Sequence, residues 1–341
     1  MHYKLAFLGF GNVGRALAVL LMRKKDELKA RYGITFSVTG IATGRHGILI
    51  NPNGIDLTGA LDLLKTGRRL DLMTPVKAAD SLDFIEKCGA DVLFENSPVN
   101  YETGQPALDH IRKALGLGMH VSTANKGPVV HACRELKALA AEKGVSFFHE
   151  STVMDGAPIF SLFRGSLPAA QLKAFRAVLN STTNLILTRM ENGDTFDDAV
   201  RYAQEIGIAE TDPSGDIDGW DAAIKVALLA TVLMDAPMKP QDVARTGIRD
   251  ITPSMVAAAK AAGKRYKLIC TAEREGGRVV GKVAPQLVPV ASPFYGIEGT
   301  TSIIEFETDV LGNLTLIETD PGPHTTAYGL LADFINAVTR G

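Results

Sequence analysis

Two lysines and a run of acids are the residues of this chain whose types and spacing could move a proton. Lys126 stands in "STANKGPVV" (122–130), after the strand-like "GMHVS" and just before Gly127-Pro128. A Gly-Pro pair marks a turn, so this lysine is either a surface residue of that turn or a cation set at the end of a buried strand. Lys225 stands in "AETDPSGDIDGWDAAIKVALLATVLM" (209–234), flanked by Ala222, Ala223, Ile224, Val226, Ala227, Leu228 and Leu229. A helix apolar on nearly all sides is a buried one, and a buried lysine needs a paired acid or has its pKa lowered. Asp221, four residues earlier, shares its face. Ahead of the helix, a turn-rich loop carries Glu210, Asp212, Asp216 and Asp218. Two readings stand: a structural Asp221–Lys225 pair, or a proton-transferring lysine in a cleft lined by carboxylates. The second suits hydride chemistry. Acids can hold a substrate ammonium while a lysine relays the alcohol proton as hydride leaves the adjacent carbon. The substrate would be a small amino alcohol or amino aldehyde.

Such chemistry needs a hydride carrier, and the N-terminus offers a place for one. "LGFGNVG" gives Gly9-x-Gly11-x-x-Gly14 directly after an apolar strand-like run, with Phe10, Asn12 and Val13 completing the loop. Gly9 permits a tight turn, Gly11 lets a pyrophosphate approach the backbone, and Gly14 lets the following helix pack close to the strand. In this strand-turn-helix context the motif points to dinucleotide binding. An NAD site usually places an acid at the end of the second strand. Here that position reads "ATGRHG", where Thr43 and Arg45 could hold a 2′-phosphate. This favours NADP, with NAD as the alternative.

The elements that must position these groups change character along the chain. Up to about residue 150, strand-like and helical patterns alternate: "KLAFLG", a helix from Asn12 to about Lys29, "TFSVTGIAT", "DVLFENS", a helix over 104–118, "HVSTANK", a helix over 131–144, then "VSFFHES". That alternation predicts a Rossmann-type, doubly wound parallel sheet. Beyond about 155 the pattern becomes α+β. A strand "LKAFRAVLN" precedes helices at 195–207, 219–234 and 253–263. Two hairpins follow, turning at Glu275-Gly276-Gly277 and at Gly312-Asn313. "HTTAYGLLADFINAV" reads as an amphipathic closing helix. The expected division is 1–152 for the dinucleotide-binding domain, 153–318 for a substrate-binding and dimerisation domain, and 319–341 for a helix returning to the first.

The bulk composition narrows the class. At 341 residues, with a net charge of −2, 46% hydrophobic and 22% charged residues, the chain gives no electrostatic reason to expect a nucleic-acid partner. Glycines and Arg15 interrupt the apolar N-terminus, so no signal peptide or membrane span is expected. Cys88, Cys133 and Cys270 are too few and too scattered for a disulfide framework. A cytoplasmic protein is expected.

Several blocks, in order along the chain, resemble homoserine dehydrogenase. They are "TANKGPV", "HESTVMDGAPIF", "LNSTTNLIL", the E-x-D-P-x-x-D-x-x-G-x-D-x-x-x-K spacing over 210–225, "TGIRDIT" and "GKRYKLI". The resemblance implies interconversion of L-homoserine and L-aspartate 4-semialdehyde with NAD(P), by a dimeric enzyme of amino-acid biosynthesis. It implies Lys225 as proton donor and acceptor, Lys126 bordering nicotinamide and substrate, Glu210 on the substrate amino group, and Asp216 and Asp221 orienting water, lysine or substrate. Thr182, Thr183 and Asn184 would line the same cleft. Ser97 and Lys126 join the glycine loop and Arg45 on the nucleotide side. It further implies a monovalent cation such as sodium, held by Glu150 and by carbonyls of Val153, Asp155 and Ala157. The chain departs from the family at Met154-Asp155, where two glycines are common, and at Ser181, which replaces a glycine. No C-terminal regulatory domain is expected after the closing helix. The rival readings are a dehydrogenase of another amino or keto acid and a non-catalytic dinucleotide-binding relative.

Overall fold

The computed structural model describes residues 1–339, which divide into two units: Met1–Pro158 with the described part of 322–341, and Ile159–Pro321. The divisions fall at 158/159 and 321/322, against the 152/153 and 318/319 expected.

In the first unit, six strands line up as β3-β2-β1-β4-β5-β6: β1 (His2–Leu8), β2 (Thr35–Thr43), β3 (Gly47–Ile50), β4 (Val92–Glu95), β5 (His120–Thr123) and β6 (Phe147–Phe148). All pairs are parallel except β3, which folds back antiparallel on β2. β1 lies inside the sheet, and its Leu5, Ala6, Phe7 and Leu8 are buried, as a strand covered on both faces requires. Helix Asn12–Tyr32 follows β1 and stops at Gly33, whose left-handed backbone returns its N–H to the carbonyls of Leu28 and Lys29. The closing helix, Pro323–Thr339, packs against it. Leu330, Leu331 and Phe334 enter the core beside Leu17, Leu21, Phe7 and Phe94. Phe334 meets Phe94 edge-on at 6.1 Å.

The second unit carries a six-stranded sheet of order β12-β11-β7-β9-β10-β8, built from β7 (Leu172–Val178), β8 (Ala244–Arg245), β9 (Lys264–Glu275), β10 (Arg278–Pro289), β11 (Ser302–Thr308) and β12 (Gly312–Glu318). It is antiparallel apart from the short β8, which runs parallel to β10. The β9–β10 hairpin turns at Gly276-Gly277, both with positive φ. The β11–β12 hairpin turns earlier than the expected Gly312-Asn313: Thr308 pairs with Gly312 and the loop is Asp309–Leu311, with Gly312 at φ 68° opening β12. Helix Trp220–Leu233 is buried over most of its length and lies against β10 and β9.

The turn expected at Gly127-Pro128 is instead the first turn of a helix. β5 ends at Thr123, Asn125 caps the helix by accepting from Gly127 N at 3.0 Å, and the helix runs Lys126–Glu142. Proline is tolerated there because a first-turn N–H has no intrahelical acceptor to lose. The helix is interrupted at Ala132 (φ −145°, ψ 22°), so the expected start at 131 corresponds to its regular second part.

Candidate active site

The nucleotide-binding face of the first unit is made mainly of backbone. Gly9 adopts φ 91°, and a Cβ there would overlap the Asn96 carbonyl. A Cβ on Gly14 would sit 2.7 Å from the Gly9 carbonyl oxygen. Gly11, by contrast, has open space where its Cβ would be. Phe10 turns inward and stacks edge-on with Phe7 at 5.2 Å, while Asn12 and Val13 open the helix. Gly9 N donates to Ala42 O at 2.9 Å, which ties the loop to the end of β2. Arg45, exposed, sits two residues beyond β2 at the tip of the β2–β3 hairpin, a turn stitched by Thr43 Oγ1 with His46 N and Gly47 O.

The ends of β4 and β5 complete this face. Glu95, fully buried, accepts from Ser97 N at 3.0 Å, from the Ser97 hydroxyl, and from Thr123 Oγ1 at 3.1 Å. Asn125 Nδ2 donates to Ser97 O at 3.0 Å. The structure thus brings Ser97 and the Asn125-Lys126 step together beside a buried carboxylate, with Gly9 packed against the Asn96–Ser97 backbone. Sequence reasoning missed Glu95 and Asn125. The signal was an acid closing an otherwise apolar strand.

The segment 149–157 is clasped to the closing helix. Asp333 Oδ2 accepts from Ser122 Oγ and from Glu150 N, both at 3.0 Å. Ser151 Oγ donates to Thr326 O at 2.7 Å. Asp155 takes the left-handed conformation, φ 40°, that a glycine would supply freely. Its carboxylate holds that shape by accepting from Gly322 N at 2.5 Å and Thr325 Oγ1 at 2.8 Å. Glu150 and Val153 are buried.

In the second unit, the candidate site is made of side chains. Lys225 is 13% exposed; its Nζ lies 3.2 Å from Asp221 Oδ2 and donates to Leu179 O at 2.5 Å. Asn180 Nδ2 donates to Asp216 Oδ1 at 2.6 Å and to Asp221 Oδ2 at 3.0 Å. Burial first, and the Asp221 charge second, hold the Asp216 carboxyl above the usual carboxylate range. Cys270, fully buried nearby, is pushed up to about 12 by burial. Thr183 is fully buried and donates its hydroxyl to Asn180 O at 3.1 Å. Asn184 accepts from the buried Lys267 at 3.0 Å, and burial brings that lysine down to about 8. Glu210 stands apart: exposed, on a loop anchored by Gln204 Nε2 to the carbonyls of Glu210 and Thr211. Asn180 is the group here that sequence reading passed over.

A glycine cradle at the crevice end of a doubly wound sheet, with a lysine–carboxylate cluster in a second α+β unit, defines a two-domain nicotinamide-nucleotide oxidoreductase acting on a small molecule. Two family descriptions match: "Homoserine dehydrogenase, NAD binding domain" over residues 9–150 and "Homoserine dehydrogenase" over 158–335. The NAD(+)-dependent homoserine dehydrogenase of Pseudomonas canavaninivorans is 36% identical over 98% of this chain and 96% of its own length. The homoserine dehydrogenase of Methanocaldococcus jannaschii is 38% identical over 96% of each. A hyperthermophilic archaeal homoserine dehydrogenase in complex with NADPH superposes with a TM-score of 0.84 at 30% identity, over 100% of this chain and 99% of that one. The chain belongs to the homoserine dehydrogenase family. No helix among the described residues is long and apolar enough to cross a membrane.

Proposed function

We propose that this protein interconverts L-homoserine and L-aspartate 4-semialdehyde, with Lys225 as the proton donor and acceptor. The observation that carries the reading is the placement of Lys225. An ammonium has three N–H groups; Asp221 Oδ2 and Leu179 O take two, and among the described residues the third has no acceptor. In the reductive direction that N–H donates to the aldehyde oxygen. In the oxidative direction the neutral amine takes the hydroxyl proton. A bound nicotinamide nucleotide supplies or accepts the hydride at the same carbon. Glu210 pairs with the substrate ammonium, Asp216 and Asp221 orient the lysine and the substrate, and Thr183 supports the wall that carries them.

On the nucleotide side, Gly9, Phe10, Gly11, Asn12, Val13 and Gly14 form the pyrophosphate turn, whose open Gly11 and tight Gly9 fit a dinucleotide. Ser97 and Lys126 would border the nicotinamide. NADP(H) is the preferred cofactor, because the end of β2 offers Arg45 and no acid. The dependence on NAD(+) named for one relative marks the alternative.

The Glu150 carboxylate and the carbonyls of Val153, Asp155 and Ala157 would hold a monovalent cation. One carboxylate with neutral oxygens is a donor set that suits a hard ion of low charge. The protein acts as a cytoplasmic homodimer. Steady-state turnover of L-homoserine with NADP and with NAD tests the activity, and no turnover with either overturns it. Replacing sodium by a bulky organic cation tests the ion, and light scattering tests the dimer.

A further inference from the structure

Asn180 lies where β7 gives way to helix Ser181–Glu191, and its side chain makes three contacts. Oδ1 accepts from Thr183 N at 2.8 Å and so caps the helix. Nδ2 donates to Asp216 Oδ1 at 2.6 Å and to Asp221 Oδ2 at 3.0 Å. A primary amide has two N–H groups, so each carboxylate receives one. The Asp221 oxygen it holds is the same oxygen that meets Lys225 Nζ at 3.2 Å. Leu179, the preceding residue, supplies the other acceptor of Lys225. One strand-to-helix elbow therefore fixes the lysine through its carbonyl and the lysine's partner through an amide. Asn180 itself is buried.

Two carboxylates gathered on one nitrogen repel each other, and burial strengthens the repulsion. A neutral donor between them offsets it without adding a charge. A cation in that place would pair with Asp221 and compete with Lys225. The amide is thus the group that satisfies both acids while leaving Asp221 to the lysine.

Resting on the functional reading above, we propose that Asn180 is the positioning residue of the proton-transfer cluster, holding Asp216 and Asp221 together so that Asp221 aims Lys225 at the substrate oxygen. It touches neither substrate nor nucleotide. Its effect is on the direction of the lysine's free N–H, and so on the chemical step.

Asn180→Ser and Asn180→Asp separate this role from capping. Both keep a side-chain oxygen suited to an N-cap, and both lose the amide donor. The expected result is a kcat lower by about 10²-fold, the size of loss a misplacement of about 1 Å causes. Asn180→Asp loses more, because it adds a third carboxylate. The dissociation constant of NADPH stays close to the parent's, and the melting temperature falls, more for Asn180→Asp, whose added carboxylate lies beside the two it no longer bridges. In a crystal structure of Asn180→Ser, the Asp216 and Asp221 carboxylates move apart and Asp221 leaves Lys225 Nζ. Parent-level kcat in Asn180→Ser, or carboxylates that remain in place in that crystal, overturns the assignment. A residue that only capped the helix would show the other pattern: unchanged kcat, with Asn180→Asp as stable as the parent. Failure of the functional reading is distinguishable, since it shows as a parent without homoserine turnover. The carboxylate positions in the Asn180→Ser crystal still decide the role of Asn180 in that case.

Discussion

The two units present their chemistry in opposite materials. The first offers main chain: a turn in which Gly9 fits only without a Cβ, an open Gly11, and a Phe10 side chain turned into the core. The second offers side chains: two carboxylates, an amide and an ammonium, interlocked within hydrogen-bonding distance. The difference fits the roles proposed for the two units. A pyrophosphate is large, polyanionic and common to many enzymes, so N–H groups and a helix dipole suffice. A proton must move at one atom of one small substrate, so a group with an adjustable protonation state has to be aimed at it.

The largest expected effect falls on the side-chain unit. Lys225→Ala should lower kcat by roughly 10²–10⁴, the usual range for general acid–base catalysis, with the dissociation constant of NADPH unchanged. Parent-level turnover would reduce Lys225 to a structural partner of Asp221.

Glu210→Gln sharpens the comparison inside that unit. Glu210 is exposed and outside the Asn180 network, so the role proposed for it is to meet the substrate rather than to hold the lysine. Losing one charge-assisted hydrogen bond costs about 1.5–3 kcal/mol. The loss should appear in KM for homoserine. An unchanged KM would remove Glu210 as the ammonium ligand.

Gly9→Ala tests the main-chain unit. It forces φ 91° on a residue with a Cβ and drives that Cβ into the Asn96 carbonyl. Strain of about 1–3 kcal/mol is expected, read as a lower melting temperature and weaker NADPH binding. An unaffected variant would mean the turn has slack that the geometry does not show.

Arg45→Ala is the smallest effect and the one that could break the contrast. Here a side chain of the first unit would decide between two nucleotides. The ratio of kcat/KM for NADP over NAD should exceed one in the parent and fall about tenfold in the variant, the worth of one charge-assisted bond. A parent that prefers NAD, or a ratio indifferent to the substitution, removes Arg45 from the phosphate.

Much of this was legible from the residues alone. Gly9, Gly11 and Gly14 after an apolar run gave the nucleotide turn, and the continuous apolar stretch around Lys225 gave a buried helix, observed at Trp220–Leu233. Hairpin β9–β10 followed from its glycine pair. Other features were hidden for physical reasons. Helix Ser181–Glu191 starts in "STTN", residues that compete with the backbone for hydrogen bonds and favour caps, so no helical pattern announced it. Asn180 looks like an ordinary N-cap, and its second set of contacts reaches residues 36 and 41 positions away. Strand β3 and helices Leu57–Lys65 and Ser81–Lys87 lie in a stretch where the periodicities named no element. At Lys126, the Gly-Pro pair reads as a stop, yet a first helical turn accommodates it. Asp155 shows the same limit: the sequence reveals a missing glycine, but the Gly322 N–H and Thr325 hydroxyl that replace its freedom are supplied 167 and 170 residues later.

The clasp on the closing helix also has a consequence for synthesis on the ribosome. Residues 1–158 emerge first, with Phe7 and Phe94 already present but without Leu330, Leu331 and Phe334, which complete their core. The 163 residues of the second unit, Ile159–Pro321, must be translated before that cover exists. Until then the sheet has an apolar face open to water and a Glu150 segment without Asp333 to hold it. The unit made first is therefore the one finished last, and the nascent chain carries its exposed face throughout the translation of the second unit, the interval in which a chaperone has the most to shield.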